Sequence, residues 1–200
     1  QAAADRPSGR PPRRGPAPME AYGRLLDRRP YLANAVNAGV LAAFTTCLRE
    51  LTVSRRPPAA RDVLRRLLLG AFLVGPGGTA WNARLERLFH GWDATRLKTV
   101  LSKTLVEEAI WSPTINSAYM LCLGLMEGRS LRQACEEVRD TIADIMRADV
   151  LFWGPVNLVQ FRFVPLKFRV LFSRVVSIGW VFYVIGKTSR VADAVEAEPE

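Results

Sequence analysis

The chain has 200 residues, 49% of them hydrophobic and 24% charged, which is the size of a single domain or helical bundle. Its three cysteines are too few and too widely spaced for a disulfide framework or a metal site, and its single histidine, His90, excludes histidine-paired metal sites and argues against acid–base triads. The formal net charge of +9 raises nucleic acid and anionic lipid as candidate partners.

Residues 1–20 form a Pro- and Arg-rich arm with almost no bulky apolar side chain, so they cannot build a core of their own. Because this bias is typical of organellar targeting sequences, we interpret the segment as the exposed arm of a mature organellar protein; a plain solvated tail is the alternative. We expect Arg13 and Arg14 to contact lipid headgroups or an acidic partner surface. The arm lacks interleaved aromatic residues, which argues against nucleic acid.

Three long runs without Asp, Glu, Lys or Arg follow, over residues 31–48, 67–83 and 109–126. Runs of about 17–25 mostly apolar residues are typical of transmembrane helices. With their flanks, the runs predict spans at about 31–50, 67–88 and 103–126. A fourth, less regular span is predicted at about 166–186, and residues 150–165 are predicted to form a broken, partly inserted approach to it. The predicted fold is therefore all-α: a four-transmembrane-helix bundle over residues 21–187, followed by an acidic tail over residues 188–200.

The alternative is a soluble helical bundle. The runs lack the polar face of an amphipathic soluble helix, and Trp and Tyr cluster near their ends as in an interfacial belt. Small residues such as Gly39, Ala42 and Gly70 would let helices approach closely in lipid. We interpret the Gly75-Pro76-Gly77-Gly78 segment in the same way, as a helix break or close-packing site, because the Lys and Ser/Thr of a phosphate-binding loop are missing.

Residues 130–149 show a different pattern. Leu131, Cys135, Val138, Ile142 and Ile145 recur at spacings of three and four with charged residues between them, which predicts an amphipathic surface helix. Ser130 followed by Gln133 fits a capping box at its start. The helix is rich in acids, so we expect it to dock on protein rather than on anionic lipid.

Polar side chains within the apolar runs are the candidate functional residues, because polar groups in lipid need partners and face inward. They are predicted to make interhelical hydrogen bonds or to line a narrow hydrophilic path: Thr45, Thr46, Glu107, Glu108, Asn116, Asn157 and Gln160. Arg162, Arg169 and Arg174 are predicted to meet lipid headgroups or a partner protein, with snorkelling to the interface or pairing with an acid as the alternatives. The residues give no catalytic constellation, metal site or cofactor site, so we do not expect an enzyme.

Four segments, in order, resemble the Mpv-seventeen / twenty-two-kilodalton peroxisomal membrane protein family from about Tyr22 to Lys187. They are the opening Tyr22-Gly23-Arg24-Leu25-Leu26 with Arg29-Pro30; Gly75-Pro76 with Trp81; Lys103 with Glu107, Glu108 and Pro113; and Trp153-Gly154-Pro155-Val156-Asn157-Leu158-Val159-Gln160-Phe161 with Pro165, Arg169 and Trp180. The apolar scaffold matches, whereas most polar positions are exchanged: the family's Asp-Gln pair is Glu107-Glu108 here, its Gln is Asn157 and its Asn is Gln160.

The resemblance implies a small four-helix protein of the inner mitochondrial, peroxisomal or plastid membrane, and a possible pore. From the arm and the surface helix, our leading hypothesis is an accessory subunit of a larger inner mitochondrial membrane complex, which these two segments would contact. The alternatives are a small-solute or ion channel, as the resemblance suggests, and a lipid-organising protein that uses its arginines on phosphate headgroups.

Overall fold

The computed structural model describes residues 18–52, 55–93 and 96–179, and within them every regular element is a helix. The all-α prediction is therefore confirmed. The helices are α1 (Pro18–Arg28), α2 (Pro30–Thr52), α3 (Ala60–Leu69), α4 (Gly75–Leu88), α5 (Leu97–Val106), α6 (Ser112–Met126), α7 (Leu131–Phe163) and α8 (residues 169–179), with a 3-10 turn at Leu166–Phe168. The predicted roles of the arm residues Arg13 and Arg14, and of the acidic tail, lie outside the described residues.

Two pairs of helices are continuous through a wide turn. The π-helical turn Gly70–Val74 joins α3 to α4, and the π-helical turn Glu107–Trp111 joins α5 to α6. A proline follows each turn at the second position of the next helix, Pro76 and Pro113. Proline has no N–H, and its ring clashes with the carbonyl four residues earlier. The wide turn takes up one extra residue at this point and lets the helix continue. The glycine-rich segment after Gly75 is therefore not a break.

The prediction of a separate surface helix and a broken approach was wrong, because α7 is one uninterrupted helix of 33 residues. The capping box between Ser130 and Gln133 starts it as predicted. Pro155 lies within the helix, and α7 ends just before Pro165, which disfavours helical geometry at the preceding residue. Of the predicted fourth span, the described part comprises the 3-10 turn and α8.

The inner face of α7 also differs from the prediction. Ala134 is buried against Gly124, whereas Leu131 and Cys135 are exposed. Val138, Ile142 and Ile145 are half-buried, as the amphipathic pattern predicted.

Small residues bring α2 against the α3–α4 helix. A Cβ atom on Gly70 would lie 2.5 Å from the Ala38 carbonyl oxygen and 3.0 Å from the Ala42 Cβ. A Cβ on Gly75 would lie 2.5 Å from the Asn34 carbonyl oxygen. The two backbones are therefore in contact. Any side chain larger than the hydrogen of glycine at these two positions would prevent this contact.

The polarity of the bundle is reversed relative to that of a soluble protein. Among the described residues, 11 buried side chains are polar or charged, as many as the 11 that are hydrophobic, while 23 large hydrophobic side chains are exposed. On α2 the exposed residues Leu32, Val36, Val40 and Phe44 recur every fourth position and form one apolar stripe. The opposite face of α2 buries Ala33, Asn34, Ala38 and Thr46. Apolar surface thus faces outward and polar groups face inward.

By length and mean hydropathy, α2 is the one helix in the described part of the chain that could cross a membrane. The arrangement of four membrane spans stays a prediction.

We expect Gly70→Ala to destabilise the fold by about 1–3 kcal/mol, because the new methyl group overpacks the contact with Ala38 and Ala42. Thermal unfolding of the detergent-purified protein measures the effect. Gly154→Ala is the matched control, since its Cβ would meet nothing within 4 Å and alanine is the better helix former. Equal unfolding midpoints for the two variants would contradict the close contact.

Candidate functional site

A cavity of about 340 Å³ lies at the centre of the bundle, and α2, α4, α6, α7, α8 and the two π-helical turns contribute to its wall. Polar and apolar atoms make up about equal parts of the wall. The polar residues that line it are Thr45, Asn82, Glu107, Ser112, Asn116, Tyr119, Asp149, Asn157, Gln160, Ser173, Arg174 and Ser177. A cavity of this volume has room for about ten water molecules at their share of liquid volume.

Hydrogen bonds between different helices hold one side of this wall. Asn157 Nδ2 donates to Glu108 Oε1 at 2.9 Å, which joins α7 to the second π-helical turn. Gln160 Nε2 donates to Asn157 Oδ1 at 3.4 Å, and Ser173 Oγ on α8 donates to Gln160 Oε1 at 2.6 Å. Gln160 is 2% exposed, so its amide depends on these partners rather than on solvent.

Trp111 forms the adjoining part of the wall and packs on Trp81. The rings of Trp81 and Trp111 stack with their centroids 5.4 Å apart, and Trp81 Nε1 donates to the buried Glu107 carboxylate. A Cβ on Gly77 would lie 3.1 Å from the Trp111 ring, so glycine at this position leaves room for it. The stack fixes the second π-helical turn against α4 and holds Glu107 at the cavity.

Along α6, Ser112, Asn116 and Tyr119 lie on the face that lines the cavity. The Asp149 carboxylate from α7 lies near Ser112 and Asn116, and the Ser112 hydroxyl donates to Glu108 Oε2 at 3.4 Å. Arg174 from α8 lies near Tyr119. The Nε of Arg174 is buried and has no hydrogen-bond partner among the described residues, and the same is true of Asn82 Oδ1.

A cluster of buried ion pairs lies beside the cavity. Lys103 Nζ lies 2.7 Å from Glu86 Oε1, and Arg169 also contacts this carboxylate. Their side chains are only 4% and 7% exposed. Arg169 stacks over Phe161 with its guanidinium 5.1 Å from the ring centre, and its Nε donates to the Val164 carbonyl. The cluster joins α4, α5, α7 and the start of α8.

Several of the polar residues singled out from the sequence meet at the cavity. Thr45, Glu107, Asn116, Asn157 and Gln160 line it. Glu108 joins them through Asn157. Thr46 does not: it is buried, and its hydroxyl donates to the Ala42 carbonyl at 2.7 Å in its own helix.

The three arginines predicted to act together are separated. Arg162 is exposed and lies over Phe163. Arg169 pairs with an acid, Glu86, which was one of its expected alternatives. Arg174 lines the cavity. Contact of these arginines with lipid headgroups or a partner stays a prediction.

Sequence reasoning missed other lining residues, among them Asp149, Tyr119, Ser173 and Ser177. Asp149 lies at the end of the segment predicted to form a surface helix, whereas the uninterrupted α7 carries it to the cavity. Ser173 and Ser177 are four residues apart, and this spacing in an apolar run was a signal that could have found them.

Among the described residues, no group of three or more His, Cys, Asp or Glu side chains is placed to hold a metal ion.

The chain resembles the Mpv17 / PMP22 family, whose model matches residues 124–184. It is 28% identical to protein sym-1 of Neurospora crassa over 81% of this chain and 94% of that protein. It is 24% identical to mitochondrial inner membrane protein Mpv17 of Caenorhabditis briggsae, over 87% and 94% of the two chains. Peroxisomal membrane protein 2 of Bos taurus is 26% identical over 84% and 90%. The resemblance drawn from the four motifs is confirmed. No solved structure matches the chain.

We expect Glu86→Gln to destabilise the protein by about 3 kcal/mol, because it leaves the buried Lys103 and Arg169 without their counter-charge. Chemical or thermal unfolding in detergent measures the loss. Asp144→Asn is the control, since it breaks an exposed pair with Arg147 and should cost less than about 1 kcal/mol. A loss no larger than that of the control would show that the cluster does not hold the helices together.

Proposed function

We propose, from its resemblance to the Mpv17 / PMP22 family, that this chain is a multi-pass protein of an organelle membrane whose central cavity forms part of a path for small hydrophilic solutes or ions. The inner mitochondrial membrane is the location we favour, and peroxisomal or plastid membranes are the alternatives. The role is non-enzymatic. The observation that carries the proposal is a cavity lined by many polar side chains, between helices that expose large apolar side chains on their outer surface.

The membrane location is supported by the direction in which side chains face. Phe72 is 78% exposed and Leu105 is 68% exposed, and they lie on different helices. In water such surface is costly, whereas hydrocarbon accepts it. The π-helical turns also present buried residues to the other helices, Gly70 and Val74 in the first and Glu107 in the second, and non-standard backbone covered by protein is tolerated at membrane depth. We therefore propose that α2, the α3–α4 helix, the α5–α6 helix and a segment that includes α8 are the four spans.

The solute path is supported by the chemistry of the cavity wall. Ionisable and amide groups inside a membrane protein are costly and mark hydrophilic pathways. Here Glu107, Asp149 and Arg174 reach one cavity together with amide and hydroxyl groups. Such groups replace part of the hydration shell of a polar solute during passage.

A second role, as an accessory subunit of a larger membrane complex, is favoured by one surface. The first half of α7 presents exposed charged residues, such as Arg132, which pairs with Glu136, and Asp144, which pairs with Arg147. In this role the exposed surface would contact another protein. Migration of the protein in mild detergent as a free species of its own mass would count against this role, and co-migration with defined partner chains would support it.

We expect Gly78→Leu to reduce the flux of small solutes through liposomes that contain the purified protein. Gly78 lines the cavity, and a Cβ there would meet only Val170 at 3.8 Å, so the larger side chain would project into open space and fill it. Stopped-flow release of an encapsulated polar solute measures the flux.

Gly154→Leu is the matched control, because Gly154 does not line the cavity and has open space around it. Its flux should equal that of the unmodified protein. Equal flux through the two variants would remove the cavity from the path, and no flux from well-folded unmodified protein would remove the proposed path itself.

A further inference from the structure

The central cavity carries opposite charges that are not paired with each other. Arg174 is the basic residue of the wall, and Glu107 and Asp149 are the acidic ones. No ion pair joins Arg174 to either carboxylate in the part of the chain that the structure describes. The neighbours of the carboxylates are instead neutral: Trp81 donates to Glu107, and Ser112 and Asn116 lie near Asp149.

Two buried polar atoms at the cavity also lack partners. Arg174 Nε is a donor without an acceptor, and Asn82 Oδ1 is an acceptor without a donor. Leaving a buried polar atom unpaired is costly, and leaving a buried charge without a counter-charge is more so. The wall is therefore complementary to a molecule with an anionic acceptor that lies at Arg174. The same molecule would carry a cationic donor that lies at the carboxylates and at Asn82 Oδ1.

The helical geometry sets the separation between these two ends. Asp149 lies near Ser112 and Asn116 on α6, while Arg174 lies near Tyr119 on the same helix, and all five of these residues line the cavity. With a rise of 1.5 Å per residue, these levels are roughly 5–10 Å apart along α6. An extended chain of four carbons with a charged group at each end spans a distance of this order.

We propose that the cavity is a binding site for a small zwitterionic solute, whose carboxylate or phosphate lies at Arg174 beside Tyr119 and whose ammonium group lies at Asp149. The inference rests on the proposed solute path, and it adds the class of solute. An unpaired arginine accepts a planar carboxylate through two parallel hydrogen bonds, and the phenol of Tyr119 is a further possible donor. Glu107 and Asn82 provide additional acceptors on the cavity wall.

Three probes of equal length test the charges separately: succinate with two carboxylates, 4-aminobutyrate with one carboxylate and one ammonium group, and 1,4-diaminobutane with two ammonium groups. Binding of each to the full-length protein in detergent is measured by titration calorimetry. We expect 4-aminobutyrate to bind most tightly. Tightest binding of succinate would overturn the proposal in favour of an anion site, and tightest binding of the diamine would overturn it in favour of a cation site.

Two variants locate the two ends. Arg174→Gln should weaken 4-aminobutyrate and succinate by about tenfold and leave the diamine unchanged, since one charge-assisted contact is lost. Asp149→Asn should weaken 4-aminobutyrate and the diamine by a similar factor and leave succinate unchanged. Arg87→Gln, an exposed arginine outside the cavity, is the control and should change none of the three. Equal effects of all three variants would show that binding is not in the cavity.

The same preparation, reconstituted in liposomes, separates this proposal from the one on which it rests. Solute flux without saturable binding of any probe would overturn the zwitterion site and leave the path intact. Absence of both flux and binding, from protein that unfolds cooperatively, would remove both.

Discussion

The structure depends on polar side chains that satisfy one another between helices. Asn157 and Gln160 on α7 connect Glu108 on one side to Ser173 on the other, and Glu86 joins Lys103 to Arg169. With apolar surface facing outward, burial of hydrophobic groups inside the bundle is modest, and hydrogen bonds and ion pairs must specify which helix faces which. The same groups that hold the helices together form the wall of the cavity. Stability and the chemistry of the site are therefore not separable at these positions.

Close backbone contact supplies the second constraint. Gly70 and Gly75 let the α3–α4 helix lie directly on α2, where Ala38 and Ala42 provide the facing surface. This contact lies on one side of the cavity and fixes the distance between its walls, because there is no flexible side chain between the two helices. Polar bonding on one side and small-residue contact on the other together keep the cavity open.

The sequence predicted the helical class, the inward position of polar residues within apolar runs, the close-packing glycines and the capping box at Ser130. It also supported the resemblance that the comparisons confirmed. The sequence did not predict the length of α7. Residues 130–163 combine a charged half and an apolar half, and the change in periodicity predicted a helix boundary between them, whereas α7 continues through Pro155. The inward positions of Arg169 and Arg174 could not be predicted from the sequence either. An arginine in an apolar run can extend to the membrane interface or pair with an acid inside the bundle, and for Arg169 it is the position of Glu86 in the fold that determines the outcome.

The two π-helical turns change the angular phase of the helices that contain them. Each residue of an α-helix advances by about 100°, so one extra residue rotates everything after it by that amount relative to a regular helix. Residues on either side of Gly70–Val74 and Glu107–Trp111 therefore follow two different helical registers, and a single amphipathic stripe cannot run through either long helix. These joints are also the places where a helix can lose or gain one residue by tightening or widening a turn, while the segments at its two ends keep their neighbours. Differences in chain length between related proteins can thus be absorbed inside a helix rather than in a loop.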